Sequence, residues 1–189
     1  MNLPNKLTIL RIVLVPIFLV LLLNFNMYAI SGIVFIIASL TDLADGKVAR
    51  KYNLVTNFGK FADPLADKLL VSAALIALCA VGKLSTSFVL GAWATFLIIA
   101  REFVVTGIRL VAAAEGTVIA AGMSGKIKTT IQMITIVYIL FADLIVSFGL
   151  PEFLSGIIVN VLVIASVVMT LYSGAEYMIQ NKSLLNTNK

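Results

Sequence analysis

Histidine is absent from this chain of 189 residues, cysteine occurs once, and charged residues make up only 12% of the sequence. Without histidine, catalysis by Ser-His-Asp or Cys-His arrangements and zinc held by imidazole are excluded. Cys79 alone cannot form a disulfide within the chain. Any acid–base chemistry must therefore come from Asp, Glu, Lys, Arg or Tyr side chains.

Long apolar runs, by contrast, dominate the sequence. Hydrophobic residues account for 61% of it, whereas soluble domains contain about 45–50%. A soluble protein of this length has no interior large enough for so much apolar surface, so we expect the lipid bilayer to be its solvent. Each of the few charged residues is then informative, because a charge inside a bilayer is costly.

Six apolar segments, each near the roughly 20 residues that a bilayer requires, predict six transmembrane helices. They are Leu7–Phe25, Ala29–Lys51, Phe61–Val81, Ser87–Ala113, Lys126–Phe148 and Pro151–Met178. Residues 1–6 precede the first span and predict a short N-terminal interfacial segment, in which Pro4 suits a first helical turn. The expected fold class is an all-α integral membrane protein, with residues 1–189 in one domain.

Basic residues lie at one set of span ends, and the net charge is +5. If the N-terminus, the second and fourth connections and the C-terminus share one side of the membrane, that side holds every Lys and Arg except Lys83. The positive-inside rule then predicts that both termini are cytoplasmic. Basic span ends also suit anionic membrane lipids, and no basic stripe with interleaved aromatic residues indicates nucleic-acid binding.

Four aspartates stand in the segment DLADGKVARKYNLVTNFGKFADPLAD, residues 42–67. Asp42 and Asp45 are three residues apart and Asp63 and Asp67 are four apart, so each pair shares one face of a predicted helix. A short turn joins the two helices, and the pairs can therefore oppose each other. Ionised carboxylates repel strongly in a low dielectric, and a hard divalent cation removes this repulsion. Oxygen ligands favour Mg²⁺, Mn²⁺ or Ca²⁺ over zinc.

Small residues and one arginine are interleaved with the aspartates. Gly46, Ala49 and Gly59 leave space beside the carboxylates for a flat group such as a nucleotide, and Arg50 can pair with phosphate. Two other interpretations are ordinary helix-end charges that face water and a carboxylate pathway in a divalent-cation transporter. The residues alone leave a metal-dependent enzyme and a transporter open.

The same segment resembles the signature of the CDP-alcohol phosphotransferase family, D-x2-D-G-x2-A-R-x8-G-x3-D-x3-D. Every fixed residue and every spacing matches, and the pattern of six spans extends the resemblance over essentially the whole chain. The matching positions are Asp42, Asp45, Gly46, Ala49, Arg50, Gly59, Asp63 and Asp67.

The resemblance implies an enzyme that moves a phosphatidyl-type group from a CDP-linked donor to an alcohol and releases CMP. It implies that Mg²⁺ or Mn²⁺ is held by Asp42, Asp45, Asp63 and Asp67. It implies that Asp67 is also the general base, and that the chain forms a homodimer. The residues implied to bind the nucleotide or diphosphate are Gly46, Ala49, Arg50 and Gly59.

Further basic residues predict a pocket for a phosphate on the acceptor alcohol. Arg101 and Arg109 are eight residues apart, about two helical turns, and Lys126 and Lys128 begin the next span on the same side. Such a pocket favours glycerol 3-phosphate or inositol phosphate over serine, choline or ethanolamine. As alternatives, the lysines are orientation signals and the arginines pair with Glu102.

Two shorter matches are similar to the phosphatidylglycerophosphate synthase branch of the family. They are Pro4-Asn5-Lys6-Leu7-Thr8 with Arg11, and Arg101-Glu102 followed by Thr106 and Arg109. This resemblance implies that Asn5 and Thr8 lie near the nucleotide or diphosphate. It also implies transfer from CDP-diacylglycerol to sn-glycerol 3-phosphate at the cytoplasmic face of a bacterial cell membrane. Phosphatidylglycerol, inositol phosphate and serine are the alternative acceptors.

Tyrosines and a glutamate stand late in the sixth span. Tyr172, Glu176 and Tyr177 are expected at the membrane interface, where aromatic side chains are enriched. Asp143 and Glu152 fall near the opposite, external end of their spans and are expected to be solvated.

Overall fold

In a computed structural model, the backbone is described for residues 3–51, 57–114 and 122–182, and this part of the chain is helical with short connections. Side chains are described for residues 5–41, 65–66, 68–112 and 122–182. The six helices are α1 Leu3–Leu23, α2 Tyr28–Lys51, α3 Asn57–Ala80, α4 Phe88–Ala114, α5 Met123–Ser147 and α6 Glu152–Gln180.

All six predicted helices are present, with bounds that differ by a few residues from those expected. The main difference is at the N-terminus, where α1 begins at Leu3 and runs without a break into the first apolar segment. The residues from Leu3 onward are therefore continuous with the first span rather than a separate interfacial segment. Pro4 does not interrupt the helix, because backbone N–H groups in a first turn have no partner within the helix.

The prediction of a membrane protein is confirmed by helix length and composition. Over the described side chains, four stretches are long and apolar enough to cross a bilayer, namely Asn5–Leu23, Phe88–Ala112, Met123–Ser147 and Glu152–Gln180. Over the same described side chains, the apolar stretches of α2 and α3 are the shorter Tyr28–Thr41 and Lys68–Ala80, and the remainder of both helices lies outside the described side chains. Crossing by α2 and α3 therefore stays a prediction.

The helices pack around a continuous apolar core. Helix α1 contacts α2 and α3, α2 contacts α5, and α6 contacts both α4 and α5. The core includes the buried side chains of Phe18, Phe35, Leu75, Ile98 and Leu140. Many other large apolar side chains point outward, as expected where lipid tails cover the surface. Because lipid tails are as apolar as these side chains, no hydrophobic effect drives the helices together. Close packing stabilises the contacts between them instead.

Polar contacts tie together the end of the bundle where α3 ends and α6 begins. Asn160 of α6 accepts hydrogen bonds from Ser85 Oγ at 2.8 Å and from the Thr86 backbone N–H at 3.2 Å. Lys83 pairs with Asp143 of α5 at 2.7 Å. This end, called the far end below, also holds the connection between α1 and α2. The opposite end, the site end, holds the first turns of α1, α3 and α5 and the last turns of α2, α4 and α6.

A close approach of α2 and α5 depends on Gly32. A Cβ at this position would lie 2.6 Å from Cε2 of Phe141, closer than van der Waals contact allows. We expect Gly32→Ala to force α2 and α5 apart and to lower the free energy of unfolding by about 1–3 kcal/mol. Thermal unfolding in detergent measures this.

Gly107→Ala in α4 is the matched control for that change, because no described atom lies within 4 Å of a Cβ there. If Gly32→Ala unfolds at the same temperature as Gly107→Ala, the close packing of α2 against α5 does not contribute as the structure suggests.

Candidate functional site

The aspartate segment lies at the site end, on two consecutive helices. Asp42 and Asp45 belong to the last turns of α2, and Asp63 and Asp67 belong to the first half of α3. Because both segments are helical, the two members of each pair, three or four residues apart, share one face of their helix. Helices α2 and α3 also contact each other. The side chains of these four residues lie outside the described part, so their role as metal ligands stays a prediction.

The predicted nucleotide-binding residues of this segment have the same status. Gly46, Ala49 and Arg50 are in the last turns of α2, and Gly59 is in the first turn of α3. Their side-chain surroundings lie outside the described residues. Their helical positions place them at the site end together with the aspartates.

The donor chemistry of the segment fits a hard divalent cation. Two carboxylates on each of two contacting helices provide the oxygen ligands that Mg²⁺ and Mn²⁺ prefer. Among the residues whose side chains are described, no other group of three or more Asp, Glu or Cys residues comes together. Within the described side chains, therefore, no other group competes with the four aspartates as the predicted metal ligands.

Helix α1 contributes three buried polar side chains at the site end. Asn5, Thr8 and Arg11 recur every three residues, and Thr8 and Arg11 are fully buried. This burial agrees with the predicted placement of Asn5 and Thr8 inside a site. Polar groups this deep in a membrane protein are costly, so their burial favours a functional role over a purely topological one.

One carboxylate organises three cations in the middle of the bundle. Glu102 of α4 accepts from Arg101 Nη1 at 2.9 Å and from Lys68 Nζ of α3 at 3.1 Å. Lys128 Nζ of α5 also donates to Glu102. We call Lys68, Arg101, Glu102 and Lys128 the Glu102 cluster. The pairing of Arg101 with Glu102, which the sequence left as an alternative, is therefore present.

Helix α6 contacts the side chains of Arg101 and Arg109. Arg101 Nη2 donates to Ser173 Oγ at 3.0 Å, and a Cβ at Gly174 would lie only 3.1 Å from Arg101 Cγ. The guanidinium of Arg109 lies 5.3 Å from the ring centroid of Tyr177. The ring of Tyr177 is buried against this arginine and does not face lipid as a residue of an aromatic belt would; such a cation–π contact is favourable. The depth of Tyr177 in the membrane stays a prediction.

A cavity of about 340 Å³ opens beside the Glu102 cluster. Its volume is within the range of small-molecule sites. Arg101, Arg109 and Lys126, three of the four predicted acceptor residues, line it together with Lys68 and Glu102. We call it the basic cavity. It brings together residues of α3, α4 and the start of α5, and its excess of cations suits a phosphate group.

Two residues of this site differ from the expectation. Lys68 lines the basic cavity, although its position in the sequence predicted only an orientation signal. Its position directly after the last aspartate of the signature could have indicated a site residue. Lys128, in contrast, is absent from the described lining of the basic cavity and lies buried beside Glu102.

An apolar cavity of about 370 Å³ adjoins the basic one. It is lined mainly by apolar side chains of α2, α3 and α5, with Arg11 of α1 among them. Thr129 and Thr130 line both cavities, so the two spaces lie beside the same turn of α5. A polar space beside an apolar one suits a ligand with a charged head and a hydrocarbon tail.

Comparisons with known proteins agree with the resemblance of the signature. A sequence model of the CDP-alcohol phosphatidyltransferase family matches residues 1–172. A Bacillus subtilis protein named CDP-diacylglycerol--glycerol-3-phosphate 3-phosphatidyltransferase is 46% identical, and the match covers 99% of this chain and 98% of that protein.

Two further relatives carry related names. A Rickettsia typhi protein with the same name as the Bacillus subtilis one is 42% identical over 70% of this chain and 72% of its own. A Mycobacterium tuberculosis protein named probable phosphatidylglycerophosphate synthase is 38% identical over 93% of this chain and 79% of its own.

Proposed function

The chain belongs to the CDP-alcohol phosphatidyltransferase family, and from that premise we propose that it transfers the phosphatidyl group of CDP-diacylglycerol to sn-glycerol 3-phosphate. The products are phosphatidylglycerol phosphate and CMP. The Bacillus subtilis relative named for this reaction aligns over 99% of the chain, which supports the choice of donor and acceptor.

The basic cavity is the observation that supports glycerol 3-phosphate as the acceptor. Arg101, Arg109 and Lys126 converge there from α4 and α5, and a phosphate monoester is the group that such a set of cations binds best. Serine carries no phosphate, and its single carboxylate is offset by its own ammonium group, so it balances these charges poorly. Glycerol 3-phosphate supplies both the phosphate and a free hydroxyl that can react.

The donor occupies the aspartate segment and the adjoining apolar cavity. By the family resemblance, Asn5, Thr8, Gly46, Ala49, Arg50 and Gly59 contact its nucleotide and diphosphate. An acyl chain fits the apolar cavity, which adjoins the basic cavity through Thr129 and Thr130. This arrangement brings the diphosphate of a lipid and the hydroxyl of a small acceptor together at the site end.

The chemistry is an attack by the acceptor hydroxyl on the β-phosphorus of the donor. Asp67 accepts the proton from that hydroxyl as general base, the bond between the β-phosphorus and the bridging oxygen breaks, and CMP leaves. Asp42, Asp45, Asp63 and Asp67 hold Mg²⁺ or Mn²⁺. When bound, the metal neutralises the diphosphate and stabilises the leaving CMP. Arg101, Arg109 and Lys126 orient the acceptor through its phosphate.

The site end faces the cytoplasm, with both chain termini on that side of a bacterial cell membrane. This orientation follows from the distribution of basic residues, since among those in the described helices and connections only Lys83 is at the far end. It also gives the site access to soluble glycerol 3-phosphate. The family resemblance adds a homodimer to this proposal.

The test is a CMP-release assay with purified protein, CDP-diacylglycerol, Mg²⁺ or Mn²⁺ and a panel of acceptors. We expect release with glycerol 3-phosphate and much less with inositol phosphate, phosphatidylglycerol or serine. We expect discrimination against serine of roughly 10³-fold or more, because serine would leave the basic cavity without a phosphate.

Each outcome of the panel has a definite meaning. Preference for another acceptor would keep the reaction type but replace the substrate. Absence of CMP release with every acceptor, combined with metal-ion flux in proteoliposomes, would support the divalent-cation transporter instead.

A further inference from the structure

We propose that Lys128 serves the acceptor site without touching the acceptor: it neutralises and anchors Glu102, and Glu102 in turn holds Lys68 and Arg101 at the wall of the basic cavity. Lys128 and Glu102 are thus positioning residues. The inference rests on the proposed function, since it assigns how that site holds its phosphate-binding cations.

The geometry of the carboxylate is the first support. Both oxygens of Glu102 are used: Oε2 accepts from Lys68, and Oε1 accepts from Arg101 and from Lys128. The three donors come from α3, α4 and α5, so three helices fix the orientation of one side chain. A carboxylate held in this way can in turn fix the flexible side chain of Lys68, whose long stem has considerable rotamer entropy.

Burial separates Lys128 from the other two cations. Its side chain is 3% exposed, against 21% for Lys68 and 14% for Arg101. Arg101 lines only the basic cavity, and Lys68 and Glu102 line both this cavity and a narrow neighbouring space of about 20 Å³. Lys128 lines only the narrow space. That space has the volume of a single water molecule and is too small for an acceptor phosphate. Lys128 therefore faces Glu102 from the buried side.

Charge balance explains why the pair acts as a unit. Loss of one partner of a buried carboxylate is costly, and Glu102 would then compete with the acceptor phosphate for the two cations that it keeps, Lys68 and Arg101. A buried ammonium that loses Glu102 is equally unfavourable. Removal of both charges leaves the net charge of the site unchanged, and a glutamine at position 102 keeps one acceptor oxygen, for Arg101 or for Lys68.

The experiment compares Lys128→Met, Glu102→Gln and the double variant by steady-state CMP release, with KM and kcat for each substrate. We expect Lys128→Met to raise the KM for glycerol 3-phosphate at least about tenfold, as removal of one partner of a buried charge pair does. The kcat and the KM for CDP-diacylglycerol should change little. The double variant should return the acceptor KM to within about threefold of wild type, because the Glu102 cluster then has the same net charge as in the wild type.

A matched control exists at the far end. Lys83 and Asp143 form an exposed Lys–Asp pair, and Lys83→Met alone or combined with Asp143→Asn should leave the acceptor KM unchanged. Thermal unfolding of all variants in detergent shows which of them are folded. If Lys128→Met does not fold, the double variant decides alone: an acceptor KM close to wild type supports the inference, and a tenfold increase overturns it.

Direct binding of the phosphate by Lys128 predicts a different pattern. The acceptor KM would then stay as high in the double variant as in Lys128→Met, and this result would sink the inference while the proposed function stands. A Lys128→Met variant with unchanged kinetics would also overturn it. A wild-type protein that releases no CMP with glycerol 3-phosphate would instead refute the proposed function, and the inference with it.

Discussion

Asp67→Asn should abolish turnover, with a loss of CMP release of about 10³-fold or more, because it removes a general base and weakens one metal ligand at once. Asparagine has nearly the same shape as aspartate but does not accept a proton at neutral pH. Donor binding should survive in part, since Asp42, Asp45 and Asp63 keep their charges. The measurements are CMP release at saturating substrates and binding of CDP-diacylglycerol to the detergent-solubilised protein.

Asp143→Asn provides the control for this change. Asp143 lies at the far end and forms an exposed ion pair with Lys83, and exposed pairs contribute only about 0–1 kcal/mol. We therefore expect wild-type kinetics and nearly wild-type thermal stability. A fully active Asp67→Asn protein would show that the base is another residue. Loss of donor binding in proportion to activity would show that Asp67 acts mainly as a metal ligand.

Removal of divalent metal should reduce CMP release to the background of the assay. Four carboxylates on two contacting helices need a cation to lie close together, and the diphosphate of the donor adds further negative charge. Treatment with a chelator, followed by titration of Mg²⁺ or Mn²⁺, measures this dependence. Binding of CDP-diacylglycerol should weaken in the same preparation, which gives a readout that does not depend on turnover.

Two controls make the metal experiment decisive. A chelator already saturated with Mg²⁺ should leave activity unchanged, which separates metal removal from other effects of the reagent. Asp63→Asn should increase the metal concentration needed for half-maximal activity, because one ligand loses its charge. Full activity after exhaustive chelation would contradict the assignment of the aspartate cluster as a metal site.

The helices could be predicted from the sequence because their signal is local. A run of about 20 apolar residues bounded by turn-forming residues satisfies all backbone hydrogen bonds within itself, which a lipid environment demands. The bounds of α2, Tyr28–Lys51, and of α6, Glu152–Gln180, lie close to those expected. A first helical turn at Pro4 was expected, but its unbroken continuation from Leu3 into the first span was not, because a polar first turn carries little apolar signal.

The reaction type was also contained in the sequence. The spacing of Asp42, Asp45, Asp63 and Asp67 within two helices is a property of short segments. The interleaved Gly, Ala and Arg residues complete the family signature, and that resemblance favours a nucleotide site over a cation pathway. The family membership agrees with that interpretation. The roles of the individual side chains stay predictions for the experiments above.

By itself, the sequence determined a helical membrane protein and an aspartate segment with the chemistry of phosphatidyl transfer. Only the tertiary structure decided which cations line the basic cavity. It placed Lys68 beside Arg101, put Tyr177 beneath Arg109, and set Lys128 behind Glu102 rather than in the cavity. The physical reason is that helical periodicity relates residues three or four positions apart, whereas these neighbours come from different helices and meet only through packing.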